Sequence, residues 1–136
     1  MKDMLLAWLC GCAAGRFLLR ILAGVLRQEK GTVLVDGEPV FENEKIKSRI
    51  CFLPDDLWFF HNAAPADMED LYQNLYAAFD RKKFRQLCSR FGLDRKRKLR
   101  TFSKGMQKQT AIFLGICANT EYLLCDETFD GLDPLV

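Results

Sequence analysis

The chain has 136 residues, 49% of them apolar, so it is one domain at most, with enough apolar material for a core. Lys and Arg number 20 and Asp and Glu 18, a net charge of +2 that excludes a wholesale polycation or polyanion. Six cysteines without a Cys-x-x-Cys pair, and a single histidine, His61, argue against a zinc framework and point to a reducing, cytoplasmic setting.

Met4 to Cys10 is a short apolar run that reads as a buried strand, and Gly11 to Gly15 reads as a loop of small residues. Phe17 to Arg27 has helical spacing, with Leu18, Ile21, Leu22 and Val25 on one face. Met4 to Leu26 could be taken for a membrane anchor or a signal peptide. Arg16 and Arg20 interrupt it, however, and the stretch before Arg16 is shorter than the ~20 residues a bilayer requires. Thr32 to Val35 and Pro39 to Phe41 predict a hairpin about the turn signal Asp36-Gly37. Ile50 to Leu53 is a further short strand, stopped by Pro54 and followed by an aromatic loop from Trp58 to Asn62.

From Ala66 the period becomes helical. Leu71, Leu75, Ala78 and Phe79 form one apolar stripe, and Phe84, Leu87, Cys88 and Phe91 a second that Gly92 ends. The basic runs Arg81-Lys82-Lys83 and Arg95-Lys96-Arg97-Lys98, with Arg100, read as a solvated helix face and its loop; a site for nucleic acid or anionic lipid is the alternative. Ser103 is a good N-cap for a third helix, Lys104 to about Asn119. Tyr122 to Cys125 is a buried strand. Alternation of strands and helices predicts an α/β fold with a largely parallel sheet.

Two places carry chemistry. The strand at 122–125 delivers Asp126 and Glu127 at its C-terminal end, the edge where parallel sheets bind ligands. Asp126 suits Mg²⁺, and Glu127 suits polarisation of an attacking water. Ser103 and Gly105 at a helix start offer backbone N–H groups and the positive dipole end to an anion, and Gly105 lets a phosphate approach closely. Taken singly, a strand end and a helix cap are common structural features.

Together they resemble the ABC transporter ATPase family. Ser103-Lys104-Gly105-Met106-Gln107 resembles its signature Leu-Ser-Gly-Gly-Gln, Asp126-Glu127 the Walker B end with its catalytic glutamate, and Gly131-Leu132-Asp133 the D-loop. Upstream, Leu18 to Gly24 resembles the helix after the phosphate loop, Gly31 to Gly37 the following hairpin, and Ile50 to Asp55 the strand entering the Q-loop. The resemblance covers nearly the whole chain in motif order. It implies a P-loop NTPase-like α/β core, incomplete, with an inserted helical subdomain at about 66–100. The signature helix would be 103–119 and the Walker B strand 122–127, all within one partial domain, 1–136. It further implies ATP and Mg²⁺ as cofactors, with Glu127 catalytic and Asp126 and Asp55 on the metal. Gly15, Arg16, Asp55, Ser103, Lys104, Gly105, Met106 and Asp133 would meet nucleotide. A transmembrane permease subunit and a second ATP-binding subunit would be the partners, and the place the inner face of the cell membrane. No nucleic acid is implied. The Ser-Lys-Gly-Met and Leu-Pro-Asp-Asp forms resemble bacterial exporters.

The chain departs from the family at the phosphate loop. Gly-x-x-Gly-x-Gly-Lys-Ser/Thr is replaced by Cys10 to Phe17, where Gly15-Arg16 offers neither the lysine nor the hydroxyl. Asp55 stands where the Q-loop glutamine is found, and His61 is misplaced for the family's switch histidine. The functional expectation is thus an ATP-binding and ATP-hydrolysing transporter subunit. The alternatives are a non-catalytic module that dimerises with nucleotide, an inactive relic, or a small membrane-anchored protein.

Overall fold

The computed structural model describes the backbone of residues 5–9 and 13–17 and, with side chains, residues 18–54, 57 and 59–126. The chain divides into two compact units, one built from its first 55 residues and the return at 120–126, the other from residues 56–119.

In the first unit three parallel strands stand in the order β1 (Leu5–Leu9), β5 (Tyr122–Asp126), β4 (Ile50–Leu53). Leu5 lies opposite Tyr122 and Leu9 opposite Asp126, while Ile50 lies opposite Tyr122 and Leu53 opposite Cys125. The central strand is buried on both faces, as its unbroken apolar run requires. One face carries Ile50 and Leu124 in a core with Leu19, Ala23, Val40 and Ile46. The other presents Cys51, Leu53, Leu123 and Cys125, all buried. Burial pushes the Cys125 thiol up to about 11, so it serves as a small hydrophobe.

The stretch that composition alone could offer as a membrane anchor is divided between β1 and α1 (Ala13–Leu22), because Leu19 and Ala23 are needed against the sheet. Among the described residues no helix is long and apolar enough to cross a membrane. α1 begins earlier and ends earlier than the sequence predicts. Gly15 and Arg16 lie inside it rather than in a loop, and it stops at Leu22 rather than Arg27. Gly24, at φ 75°, turns the chain, with Gly24 N–H donating to Ile21 O (3.0 Å) and Val25 N–H to Arg20 O (2.9 Å). A side chain there would press on Val40 O and Lys47 Cε.

The predicted hairpin is present but short: β2 (Leu34–Val35) and β3 (Glu38–Pro39) flank Asp36 and Gly37, both at positive φ (50° and 80°). A four-residue helix that the sequence reading passed over, α2 (Glu44–Lys47), follows. Its cap is Asn43, whose Oδ1 accepts from Ile46 N–H at 3.3 Å.

The second unit is helical: α3 (Pro65–Leu75), α4 (Arg81–Arg90), a 3₁₀ turn (Leu99–Thr101) and α5 (Lys104–Cys117). Pro65 opens α3, and Asp67 Oδ2 accepts from Ala64 N–H at 2.8 Å. Asp80 caps α4 through Lys83 N–H (2.9 Å), and its own N–H donates to Cys117 O (2.8 Å), tying α4 to the end of α5. Gly92, at φ 68°, ends α4 where the sequence places it. The apolar stripe from Leu71 to Phe79 does not continue as one helix. Tyr76 is extended, so Leu75 is 61% exposed while Phe79 turns in against Phe84.

Glu69 is the buried charge of this unit. It is 1% exposed and accepts from Arg85 (2.9 Å) and from Arg95, with Arg81 at 3.6 Å. A fully buried carboxylate is costly unless cations attend it. Here three guanidinium groups, from α4 and the loop behind it, converge on α3. We expect Glu69→Gln to cost about 1.5–3 kcal/mol in urea unfolding, the range for hydrogen bonds to charged groups, since the half-exposed arginines regain water. An unfolding midpoint that does not move would show that Glu69 does not hold the helices together.

Candidate functional site

The chemistry-bearing residues fall in both units, and each part is built by its own elements. In the first unit, β1 and β5 run parallel with Leu9 opposite Asp126, so both strands end at the same edge of the sheet. β1 leads into α1 four residues later, which puts the helix N-terminus at that edge as well. Asp126 is 0% exposed and shares the α1 side of the sheet with Tyr122 and Leu124, by strand alternation. A buried carboxylate beside a helix start, at the C-terminal edge of parallel strands, is an arrangement suited to a phosphate with its cation. Gly15 and Arg16 occupy the first turn of that helix. Their position gives backbone N–H groups at the helix start, which any residue type supplies.

The donor at Asp126 is hard oxygen, which fits Mg²⁺. Among the described residues no group of three His, Cys, Asp or Glu side chains is placed to hold a metal. An Mg²⁺ beside Asp126 would also take phosphate oxygens and water, the usual habit of that ion. Asp55, Glu127 and Asp133 lie outside the described residues.

In the second unit Ser103 caps α5, its Oγ accepting from Met106 N–H at 3.1 Å, while Gln107 N–H donates to Ser103 O at 2.9 Å. The N–H groups of Lys104 and Gly105, in the first helical turn, have no partner within the helix and point away from it along the axis. Ser103 and Lys104 are exposed, and Gly105 and Met106 are half-buried, so the turn is open to an anion.

Two residues set this turn: Gln107, which the sequence reading quotes in the signature without a role, and Arg97, which it leaves in a solvated basic run. Gln107 Nε2 donates to Leu99 O at 2.9 Å, joining the helix to the 3₁₀ turn before it. Arg97 donates from Nε to Thr101 Oγ1 (2.9 Å) and from Nη2 to Thr101 O (2.7 Å), and its guanidinium lies 5.3 Å from the Phe102 ring centre. Phe102 and Leu99 beneath are buried. Arg97 sits within a run of basic residues, and nothing in that run distinguishes the one that folds back.

The sequence model of the ABC transporter family matches residues 15–130, most of the chain. The chain belongs to that family. Its ATP-binding relatives include the ABC transporter ATP-binding protein YtrB of Bacillus subtilis, 28% identical over 118 residues. That match covers 87% of this chain and 40% of YtrB. The molybdate/tungstate import ATP-binding protein WtpC of Thermococcus kodakarensis is 27% identical over 121 residues, covering 85% of this chain and 37% of that protein. This chain thus spans less than half the length of these curated relatives. The solved ABC transporter ATP-binding protein of Pyrococcus furiosus superposes with a TM-score of 0.75 at 21% identity, over 98% of this chain and 66% of that one. The fold is that of an ABC ATPase domain in part, a P-loop NTPase architecture of mixed helix and strand.

Removing the Arg97 clamp is expected to loosen the turn without unfolding the unit. Arg97→Ala should speed hydrogen exchange at Lys104 to Met106, and Ser103→Ala should lower stability by about 1 kcal/mol, the worth of a helix cap. Exchange unchanged at those amides in Arg97→Ala would show that the clamp plays no part in holding them.

Proposed function

We propose that this chain is part of an ATP-binding subunit of an ABC transporter, a peripheral protein at the inner face of the cell membrane that couples ATP binding and hydrolysis to transport. The observation that carries the reading is Asp126, fully buried where β1 and β5 end together beside the start of α1. Asp126 would hold Mg²⁺, which when bound neutralises phosphate charge and orients the terminal phosphate. The α1 N-terminus, with Gly15 and Arg16, would face the phosphates. Glu127 would orient the attacking water, and Asp55 would reach the metal through water. Ser103, Lys104, Gly105 and Met106 would meet the nucleotide of a second ATP-binding subunit, with Asp133 at the contact between them. The helical unit would face a transmembrane permease.

An exporting role is supported by the Ser-Lys-Gly-Met form at Ser103 to Met106 and the Leu-Pro-Asp-Asp form at Leu53 to Asp56. Relatives of similar identity include WtpC, whose name describes import, so direction rests on those two segments alone.

A second reading is favoured by one observation: neither Gly15 nor Arg16 supplies the lysine or the hydroxyl of a phosphate loop. The chain would then contribute only the Ser103–Gly105 half of a shared site, and the partner the phosphate loop.

Equilibrium binding of a fluorescent ATP analogue with Mg²⁺ separates the two. In the first reading the chain binds alone, and Asp126→Asn weakens binding at least about 10–100-fold, the scale seen when metal sites are disturbed. No binding by the folded chain, with binding restored by a subunit carrying an intact loop, supports the second. Glu127→Gln should abolish turnover while leaving analogue binding in place; turnover that survives it would remove Glu127 from the chemistry.

A further inference from the structure

Residues 81–104 hold eleven Lys or Arg residues and a single acidic one, Asp94, in a chain whose net charge is only +2. The basic residues do not serve one purpose. Arg81, Arg85 and Arg95 converge on Glu69, Arg81 also pairs with Asp70, and Arg97 closes on Thr101. Lys82 and Arg90 are exposed on α4 and make no salt bridge among the described residues. Lys82, Arg85, Gln86 and Ser89 follow one another at helical spacing, with Arg81 and Arg90 at their flanks, and the six line one open, shallow surface. The opposite side of α4 carries buried Phe84 and Cys88.

Donors exceed acceptors on this face. Each guanidinium has five N–H donors and a carboxylate about four lone-pair sites, so even with every site of Glu69 and Asp70 filled, about seven of the roughly fifteen donors of three arginines are left over. The surface is shallow and open, so a lone phosphate ion would stay largely hydrated there. An array of phosphates presented together would engage several side chains at once. None of the six lining residues is aromatic, so bases would find no ring to stack on.

We infer that the outer face of α4, centred on Lys82, Arg85 and Arg90, is a docking surface for the anionic headgroups of a phospholipid bilayer. The inference rests on the membrane-peripheral reading proposed above, and it places the helical unit against lipid as well as against a permease. Long basic side chains suit this use, because their stems adapt while their charges stay in the headgroup layer.

The test is co-sedimentation of the chain with vesicles of phosphatidylcholine alone and of phosphatidylcholine mixed with phosphatidylglycerol. Binding is expected only to the anionic vesicles, and it should weaken as salt is raised. At about fivefold per basic residue near such a surface, Lys82→Glu with Arg90→Glu should reduce binding roughly thirty-fold or more. Lys82→Gln with Arg90→Gln should show a smaller loss in the same direction, which guards against misfolding of the charge-reversed form. Lys30→Glu with Lys45→Glu makes the same change in net charge on the first unit and should have little effect. Absence of binding to anionic vesicles, equal binding to both kinds, or an equal loss in the Lys30/Lys45 pair would overturn the inference. So would nucleic acid held more tightly than vesicles and lost in the Lys82/Arg90 variant. ATP-analogue binding, read on the same samples, should be unchanged by the α4 substitutions. Vesicle binding without analogue binding would count against the ATP site and not against this surface.

Discussion

The first unit depends on the pairing of β4 with β5. The chain leaves the sheet at Leu53, builds the whole helical unit, and must return at Tyr122 in the same direction and in register. Tyr122 N–H donates to Arg49 O at 3.1 Å, the first rung of that return. Around it, Arg49 pairs with both Glu121 and Asp36, and Tyr122 Oη donates to Asp36 at 2.9 Å. The Tyr122 hydroxyl, with Arg49 second, holds the Asp36 carboxyl below its ordinary range. Since that pKa is depressed on folding, the contribution is present above the ordinary value of 3.8 and is lost as pH falls through the lowered one. β5 is the middle strand, so without this closure β1 and β4 have no common neighbour and Asp126 has no strand to end.

Closing so long an excursion costs less than its length suggests, since each doubling of a loop adds only about 0.6 kcal/mol. The insertion can therefore be a folded unit in its own right. Its joints are internal: Leu99 N–H donates to Ala63 O (2.8 Å), Ala66 N–H to Arg95 O (3.0 Å), and Asn119 Nδ2 to Ala78 O (2.9 Å). Each joins a loop to a helix end far away in sequence. The turn before α5 is shaped by these joints and by Gln107 and Arg97, which hold the first amides of α5 in place.

What the sequence reveals is what local chemistry decides. Ser103 caps because its hydroxyl reaches Met106 N–H within its own turn, Asp36-Gly37 turns because both residues tolerate positive φ, and Ile50–Leu53 and Tyr122–Asp126 are strands because short apolar runs bury on both faces. Tertiary contacts decide what the sequence conceals. Gly15 looks like a loop residue and lies in α1, while α1 stops at Leu22 because Gly24 must pass close to Val40 and Lys47. Leu75 has the right spacing for the core and misses it, since the helix ends there and Tyr76 is extended. A buried glutamate in the middle of α3 has no periodic signature, and its arginines arrive from residues 81, 85 and 95. The candidate site was legible at Asp126, Ser103 and Gly105, and illegible at Arg97, whose role depends on which member of a basic run folds back.

The same arginines show why composition is a weak guide to charge. A net of +2 over the chain hides a concentration of cations between 81 and 104. Glu69 does not cancel that concentration; it orders it. By drawing guanidiniums from α4 and from the following loop to one carboxylate, it fixes where the remaining donors are aimed and leaves Lys82 and Arg90 at the surface. Exposed positive charge of this density acts over about 8–10 Å at ordinary salt, which is farther than any single hydrogen bond. It favours approach of anionic partners before contact is made, and it does so for the open turn at Ser103 and for the outer face of α4 alike. An ion pair that would rank as a stability element in isolation is therefore also the element that organises the electrostatic field of the helical unit.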